Sequence, residues 1–170
     1  QKRHITGLAG SDLHAPVFRV LGVKLRILDY PMLFSAVNNY VRVEEVTGNA
    51  KVDSANLIAA LRRGNCWFAF DRLHLAYGFS FSAEAGEKRA GMGDTLTLAG
   101  GKACLRVQMP VAGEITLIRN GKLLTQAKGR ELVLSVGEAG VYRVEARLQR
   151  RGRLLPWLYS NPLYIQKESS

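Results

Sequence analysis

The spacing of apolar residues changes once along the chain, from about 3.6 residues in the first part to two in the rest. In the first part, Leu57, Ile58 and Leu61 form one apolar stripe, and Gly64 follows it. A stripe of this spacing that stops at a glycine is typical of an amphipathic helix. The sequence therefore predicts a helix over residues 54–63 whose stripe packs in an ordinary core.

From residue 66 onward, apolar and polar residues alternate in short segments, as in half-buried strands. The predicted strands are residues 66–70, 77–83, 95–98, 103–108, 115–119, 122–126, 132–136, 141–148 and 162–165. Many short strands with turns about every 8 to 12 residues indicate a β-sandwich. The predicted fold is mainly β, with an immunoglobulin-like sandwich over residues 76–170.

Two local motifs support the sandwich. Asn120-Gly121 lies between apolar segments and predicts a two-residue hairpin turn, in which both positions need positive φ. Tyr142 stands at the start of a late strand, where a tyrosine corner bonds its hydroxyl back to the backbone. The glycines between residues 86 and 93 indicate a mobile loop inside the sandwich.

The segment before the sandwich reads as a short α/β piece. Residues 5–9 are apolar and predict a short buried strand, and residues 31–39 have the proline and the spacing of a short helix. We therefore divide the chain into residues 1–75 and residues 76–170. The boundary rests on the change of period, since no low-complexity linker separates the two parts.

Composition narrows the possible partners. The 170 residues are 47% hydrophobic and 22% charged, which is typical of a globular protein, and no apolar run reaches the roughly 18 residues of a membrane span. The formal charge of +10 permits contact with anions, but most charges are scattered, so a nucleic-acid partner is not expected. The densest basic group comprises Arg143, Arg147, Arg150, Arg151 and Arg153, and we interpret it as the solvated edge and tip of a hairpin.

The two cysteines, Cys66 and Cys104, each lie in an apolar segment. Buried free thiols are the default for such positions, and no metal-binding or redox spacing is present. The sequence does not show whether the two cysteines pair. Free thiols favour a cytoplasmic setting, although the localisation stays open because a targeting signal could have preceded Gln1.

The strongest candidate for chemistry is the pair Asp12 and His14, directly after the apolar residues 5–9. In a strand, residues i and i+2 point to the same side, so a carboxylate and an imidazole could reach one metal ion. The alternative is that Asp12 caps a turn and His14 is an ordinary loop histidine. Two ligands alone do not make a catalytic site.

The segment from His4 to Ala15, HITGLAGSDLHA, resembles the closing motif of the PHP (polymerase and histidinol phosphatase) family of metal-dependent phosphoesterases. The far end, with GVYRVE at residues 140–145 and PWLYSNPLYI at residues 156–165, resembles the tails of certain stand-alone PHP proteins. Both matches occur in the expected order. The resemblance implies that Asp12 and His14 belong to a metal centre and that residues 1–75 are the end of a PHP-type catalytic domain.

The same resemblance implies a parent enzyme in which divalent manganese, zinc or iron activates water for attack on a phosphate ester. Most ligands of that family lie in amino-terminal motifs, including a His-x-His. This sequence has three histidines, His4, His14 and His74, and no His-x-His. We therefore expect this chain alone to be inactive, without catalytic residues of its own or a tightly bound metal.

The expected partners are the amino-terminal PHP region of the same protein and a small phosphate ester. Self-association through the exposed amino-terminal strand is a further expectation. A second hypothesis treats the chain as a non-catalytic immunoglobulin-like module that binds a carbohydrate or protein partner. It needs an open row of aromatic side chains, for which Trp67, Trp157, Tyr159 and Tyr164 are candidates, whereas burial of these rings favours a structural role.

Overall fold

A computed structural model describes residues 4–11, 17–20, 23–26, 34–98 and 101–168, with residues 17–20 and 23–26 described by their backbone alone. The described chain is mainly β. Its strands are β1 (Val17–Val20), β2 (Val23–Arg26), β3 (Asn38–Val41), β4 (Cys66–Ala69), β5 (Ser80–Ala85), β6 (Lys88–Gly91), β7 (Thr95–Leu98), β8 (Ala103–Arg119), β9 (Lys122–Val136), β10 (Gly140–Arg150), β11 (Arg153–Ser160) and β12 (Leu163–Lys167). The helix α1 spans Ala50–Arg63.

The long hairpin of β8 and β9 organises the main sheet. One side of β8 pairs with β9, and the other side pairs first with β5 and then with β10. The register shifts between Gln108 and Gly113, where a Cβ on Gly113 would lie only 2.6 Å from the carbonyl oxygen of Arg147. The shift and this close approach let the antiparallel sheet curl around its core.

Shorter strands extend the curled sheet on both sides. On the side of β8 away from β9, β10 leads on to β11, β4 and β3, and β5 leads on to β6. Strand β12 pairs with the start of β10 and, in parallel, with β7. Because β3 and β4 precede residue 76 and pair onward to β11, the sheet is continuous across the predicted domain boundary, and the division there stays a prediction.

The core lies on the concave side of this sheet. Inward positions alternate along the strands, as in Tyr142, Val144, Ala146 and Leu148 of β10, which are all buried. Trp157 is fully buried in the same cluster. Burial of large apolar side chains contributes about 1.5 to 3 kcal/mol each, so this cluster supplies the main stabilisation of the fold.

The predicted turn chemistry is confirmed. Asn120 and Gly121 have φ of 51° and 81° and join β8 to β9 with Arg119 opposite Lys122. The Tyr142 hydroxyl donates to the Glu138 carbonyl oxygen at 2.7 Å, four residues upstream.

The basic segment also forms the predicted hairpin. Arg150 pairs with Arg153, and the turn residues Arg151 and Gly152 have φ of 47° and 77°.

The boundaries of several predicted strands are wrong. Segments 103–108 and 115–119 belong to the single strand β8, and segments 122–126 and 132–136 belong to β9. The alternation lapses where Pro110, Gly113 and Gly129 interrupt it, but the backbone stays extended through the bend. The predicted loop over residues 86–93 contains β6, which pairs with β5 around a turn at Gly86, φ 59°.

The helix is confirmed, but it begins four residues before the predicted start, and the predicted burial of its stripe is wrong. It begins at Ala50 with Asn49 as the cap, and Gly64 ends it with φ of 83°. Leu57 and Ile58 are 43% and 49% exposed, and Ala60 is the buried residue of the helix. Periodicity identifies which face of a helix is apolar, but not whether any other element covers that face.

Two predictions for the first part also need correction. Residues 5–9 form no strand, and Ile5 and Leu8 are exposed. The apolar composition predicted a strand, but the backbone of this segment bonds to side chains instead. The predicted helix over residues 31–39 cannot reach residue 39, because β3 begins at Asn38. Residues 31–33 lie outside the described part.

Candidate functional site

The predicted metal ligands, Asp12 and His14, lie outside the described residues. Residues 4–11, which lead directly to them, are described. We call these residues the leader segment. Its contacts show how the chain that carries the motif is attached to the sheet.

Asn161 holds the leader segment at Gly7. Its side-chain oxygen accepts from the Gly7 N–H at 2.7 Å, and its side-chain amide donates to the Gly7 carbonyl at 2.9 Å. The same amide donates to the Cys66 carbonyl oxygen at 2.9 Å. Asn161 is buried between β11 and β12, so its amide links the leader segment to the start of β4.

Asn39 on β3 holds the segment two residues further on. Its oxygen accepts from the Ala9 N–H at 2.9 Å, and its amide donates to the Ala9 carbonyl at 2.8 Å. Each asparagine therefore pairs with both backbone groups of one residue, as a neighbouring strand would. Since Gly7 and Ala9 are two residues apart, an extended backbone directs the bonding groups of both to the same side.

Two further contacts complete the attachment. The His4 ring stacks on the Tyr164 ring, with centroids 3.9 Å apart. The Thr6 side chain packs close to Gly64, the residue that ends α1. A Cβ added to Gly64 would lie 3.4 Å from the Thr6 hydroxyl oxygen. The leader segment thus contacts β12, the end of α1 and β3 along its course toward residue 12.

Apolar side chains of the leader segment and of α1 face solvent. Ile5 and Leu8 of the leader segment are 71% and 55% exposed, and the helix stripe with Leu57 and Ile58 is about half exposed. Large apolar side chains exposed together mark contact surfaces more often than ordinary surface does.

A partly buried polar network joins β3 to the loop that follows β4. The Tyr40 hydroxyl donates to Asp71 at 2.7 Å and accepts from the Ala76 N–H at 3.1 Å. Asn38 donates to the other Asp71 oxygen at 2.7 Å. Burial, with a smaller contribution from the Asp71 carboxylate, raises the pKa of Tyr40 to about 12. These groups satisfy one another, which is the pattern of a structural network.

The remaining titratable candidates have structural partners. His74 Nδ1 lies 2.7 Å from the Leu75 carbonyl oxygen, in the loop that follows β4. Cys66 and Cys104 are free thiols, Cys66 buried and Cys104 half-buried. Burial raises the pKa of Cys66, so its thiol stays protonated and unreactive.

Two of the four candidate binding aromatics are buried. The Trp157 Nε1 donates to the His74 carbonyl oxygen at 2.7 Å, and Trp67 stacks on Tyr40 with centroids 5.3 Å apart. Tyr159 and Tyr164 are half-buried. Within the described residues, no partner lies within hydrogen-bond distance of Trp67 Nε1. Trp67 and Trp157 therefore pack as core residues, and the four rings form no open row.

The described residues contain no group of three or more His, Cys, Asp or Glu side chains that could hold a metal ion. None of the helices in the described ranges is long and apolar enough to cross a bilayer. Comparisons with protein-family models, with curated proteins and with solved structures found no match to this chain.

Proposed function

We propose that this chain is the carboxyl-terminal portion of a PHP-type metal-dependent phosphoesterase, with Asp12 and His14 among the metal ligands. The motif in residues 4–15 carries the proposal. Its support from the fold is the attachment of the leader segment, since the backbone just before the ligand pair bonds to Asn161 and Asn39. A segment held in this way can present two ligands in a fixed place.

The ligand types fit the chemistry of the family. A carboxylate and an imidazole suit manganese, zinc or iron, and such ions lower the pKa of a bound water and neutralise phosphate oxygens. In this chain, Asp12 and His14 would contribute two ligands to a shared centre, and residues from the amino-terminal region would supply the others. The chain by itself is then inactive, because two ligands hold a divalent ion weakly.

The β part is proposed as an immunoglobulin-like sandwich that braces the active site. The tyrosine-corner bond of Tyr142 and the tight hairpin at Asn120-Gly121 support this classification. The bracing role follows from the asparagine contacts, which couple the position of the leader segment to β3 and to the turn before β12. The exposed apolar residues Ile5, Leu8, Leu57 and Ile58 would contact the amino-terminal region.

The first experiment measures hydrolysis of an aryl phosphate by the purified chain with manganese, zinc or iron. We expect no turnover above the metal blank. Metal-dependent turnover that survives repurification would contradict the proposal that two ligands need the rest of a centre.

The second experiment uses the longer protein, translated with the coding sequence that precedes Gln1 in the gene. Asp12→Asn and His14→Gln should each lower both turnover and bound metal by at least about tenfold. His4→Gln is the matched control, because His4 is exposed and only stacks on Tyr164. Wild-type metal content and turnover in both ligand variants would overturn the assignment.

A further inference from the structure

A second surface, away from the leader segment, combines an apolar pocket with arginines. The pocket has a volume of about 350 Å³ and is lined by Ala36, Phe70, Arg72, Leu73, Leu155 and Pro156. Two of its lining residues, Leu155 and Pro156, belong to β11. We call it the arginine-rimmed pocket.

The walls of the pocket are held in place by backbone contacts. The Phe70 N–H donates to the Trp157 carbonyl oxygen at 2.8 Å, and the Leu73 N–H donates to the Phe70 carbonyl oxygen at 2.9 Å. Arg150 Nη2 donates to the Leu73 carbonyl oxygen at 2.7 Å. A pocket formed in advance loses little conformational entropy when a ligand enters it.

The charge around this pocket is basic and unbalanced. Arg72 lines it, and the hairpin turn brings Arg150, Arg151 and Arg153 together, with Arg150 directly opposite Arg153. Like charges opposite each other on paired strands are destabilising. In the described part of the chain, none of these four arginines has a carboxylate within 4 Å.

Five other arginines of the same sheet are compensated. Their ion pairs are Arg89 with Glu84, Arg106 with Glu131, Arg119 with Glu138, Arg143 with Glu145 and Arg147 with Glu114. The carboxylate nearest in sequence to the pocket, Asp71, already accepts bonds from Tyr40 and Asn38. The arginine cluster is therefore free to bind carboxylates from another molecule.

Exposed apolar side chains occur in the segments that form the pocket and in the loop that follows β4. Phe70 and Leu154 are partly exposed, and Leu75 and Tyr77 are mostly exposed. A flat lipid surface would need these groups to project, whereas the pocket is a concavity. A nucleic acid would use the arginines but would gain little from an apolar pocket.

We propose that the arginine-rimmed pocket docks an acidic segment of a protein partner, with an apolar side chain seated in the pocket and flanking carboxylates bound by the arginines. An apolar anchor supplies most of the affinity in such contacts, and charge complementarity selects the partner. Arg is suited to this role because its guanidinium binds a carboxylate through two parallel hydrogen bonds. This inference is independent of the proposed phosphoesterase role.

The test measures binding of a fluorescent synthetic peptide, with Leu-Phe between two runs of Glu, to the whole chain by anisotropy. The first comparison peptide replaces Glu by Lys, and the second replaces Leu-Phe by Ala-Ala. Anionic vesicles of phosphatidylserine and phosphatidylcholine, and a single-stranded oligonucleotide, test the other ligand classes. We expect saturable binding of the acidic apolar peptide that weakens with salt, and much weaker binding of every other probe.

Substitutions in the pocket test whether the peptide binds there. Arg153→Glu and Phe70→Ala should each weaken binding of the acidic apolar peptide by about tenfold or more. The matched controls are Arg130→Glu and Leu123→Ala, exposed positions on β9 that should leave affinity unchanged. Circular dichroism verifies that each variant is folded, and Arg72→Ala replaces any variant that is not.

Three results with the peptides would overturn the proposal. These are the absence of saturable peptide binding, equal binding of the Lys or Ala-Ala peptide, and peptide binding that both pocket variants leave intact. Tighter binding of vesicles or the oligonucleotide than of the acidic peptide would also overturn it, in favour of that ligand class.

Discussion

Asn161 shows how a single side chain can replace a stretch of secondary structure. Its amide makes bonds to Gly7 and Cys66, residues that are far apart in sequence, and it is buried. A buried amide is costly unless its groups are satisfied, and here they bond to both backbone groups of Gly7 and to the Cys66 carbonyl oxygen. Asparagine therefore holds a non-strand segment against the sheet without a further strand.

Tyr142→Phe tests the corner bond at the level of one atom. Removing the hydroxyl takes the donor from the Glu138 carbonyl oxygen, and because Glu138 is exposed we expect a cost of about 0.5 to 1.5 kcal/mol in the free energy of unfolding. The ring itself is buried in either variant, so the fold should not change. Urea denaturation measures the loss, and Tyr77→Phe, at an exposed position, is the control. An unchanged unfolding midpoint for Tyr142→Phe would show that the bond contributes no net stability.

Tyr40 predicts a dependence of stability on alkaline pH. Its pKa is raised from 10.0 to about 12 in the folded state, chiefly by burial, so the unfolded chain loses this proton first. The contribution of protonated Tyr40 to the free energy of unfolding is therefore complete below about pH 10 and is lost as the pH rises through about 12. The stability difference between wild type and Tyr40→Phe should shrink across that interval in urea titrations, with Tyr159→Phe as the control. A difference that stays constant to pH 12 would contradict the raised pKa.

At the scale of elements, the leader segment and α1 depart most from their sequence patterns. Both have apolar residues in the spacing of a buried element, and both expose those residues. The leader segment is held by side-chain amides. The helix α1 is capped by Asn49 and Gly64, and Gly64 packs close to Thr6 and Gly93. Their backbone positions are therefore defined although their apolar faces are uncovered.

The two asparagines should differ in their effects on the leader segment. Asn39→Ala removes an exposed contact, so exchange of the Ala9 amide should accelerate while the free energy of unfolding changes by less than about 0.5 kcal/mol. Asn161→Ala empties a buried site, so it should accelerate exchange of Gly7 and also cost about 1 to 3 kcal/mol.

Hydrogen exchange monitored by NMR, at two protein concentrations, checks both variants. Exchange of Ala9 that is identical in wild type and Asn39→Ala would contradict the contact. Protection of Gly7 that disappears on dilution would instead indicate pairing with a second copy, as expected for self-association through this segment.

At the scale of the whole molecule, the core and the uncovered helix face should respond differently to substitution. Leu158 is fully buried, and Leu158→Ala should cost about 2 to 5 kcal/mol in the free energy of unfolding. Leu57→Ser should cost less than about 1 kcal/mol in this chain, because the side chain is 43% exposed. Chemical denaturation compares the two. A cost of several kcal/mol for Leu57→Ser would show that the stripe is packed after all.

The sequence by itself determined the features that depend on neighbouring residues. Positive φ at Asn120 and Gly121 is a local steric requirement, so the hairpin could be predicted, as could the end of α1 at Gly64. The mainly β composition follows in the same way from the alternation after residue 66. The candidate ligands Asp12 and His14 were found by their motif, and they lie outside the described residues.

Tertiary structure decided what depends on distant parts of the chain. The joining of segments into β8 and β9, the strand β6, and the attachment of the leader segment by Asn39 and Asn161 all involve partners that local spacing cannot reveal. The same is true of the arginine-rimmed pocket, which combines residues from near 36, 70 and 155. Apolar spacing gives the direction of a side chain relative to its own backbone, whereas burial depends on which element the fold brings against it.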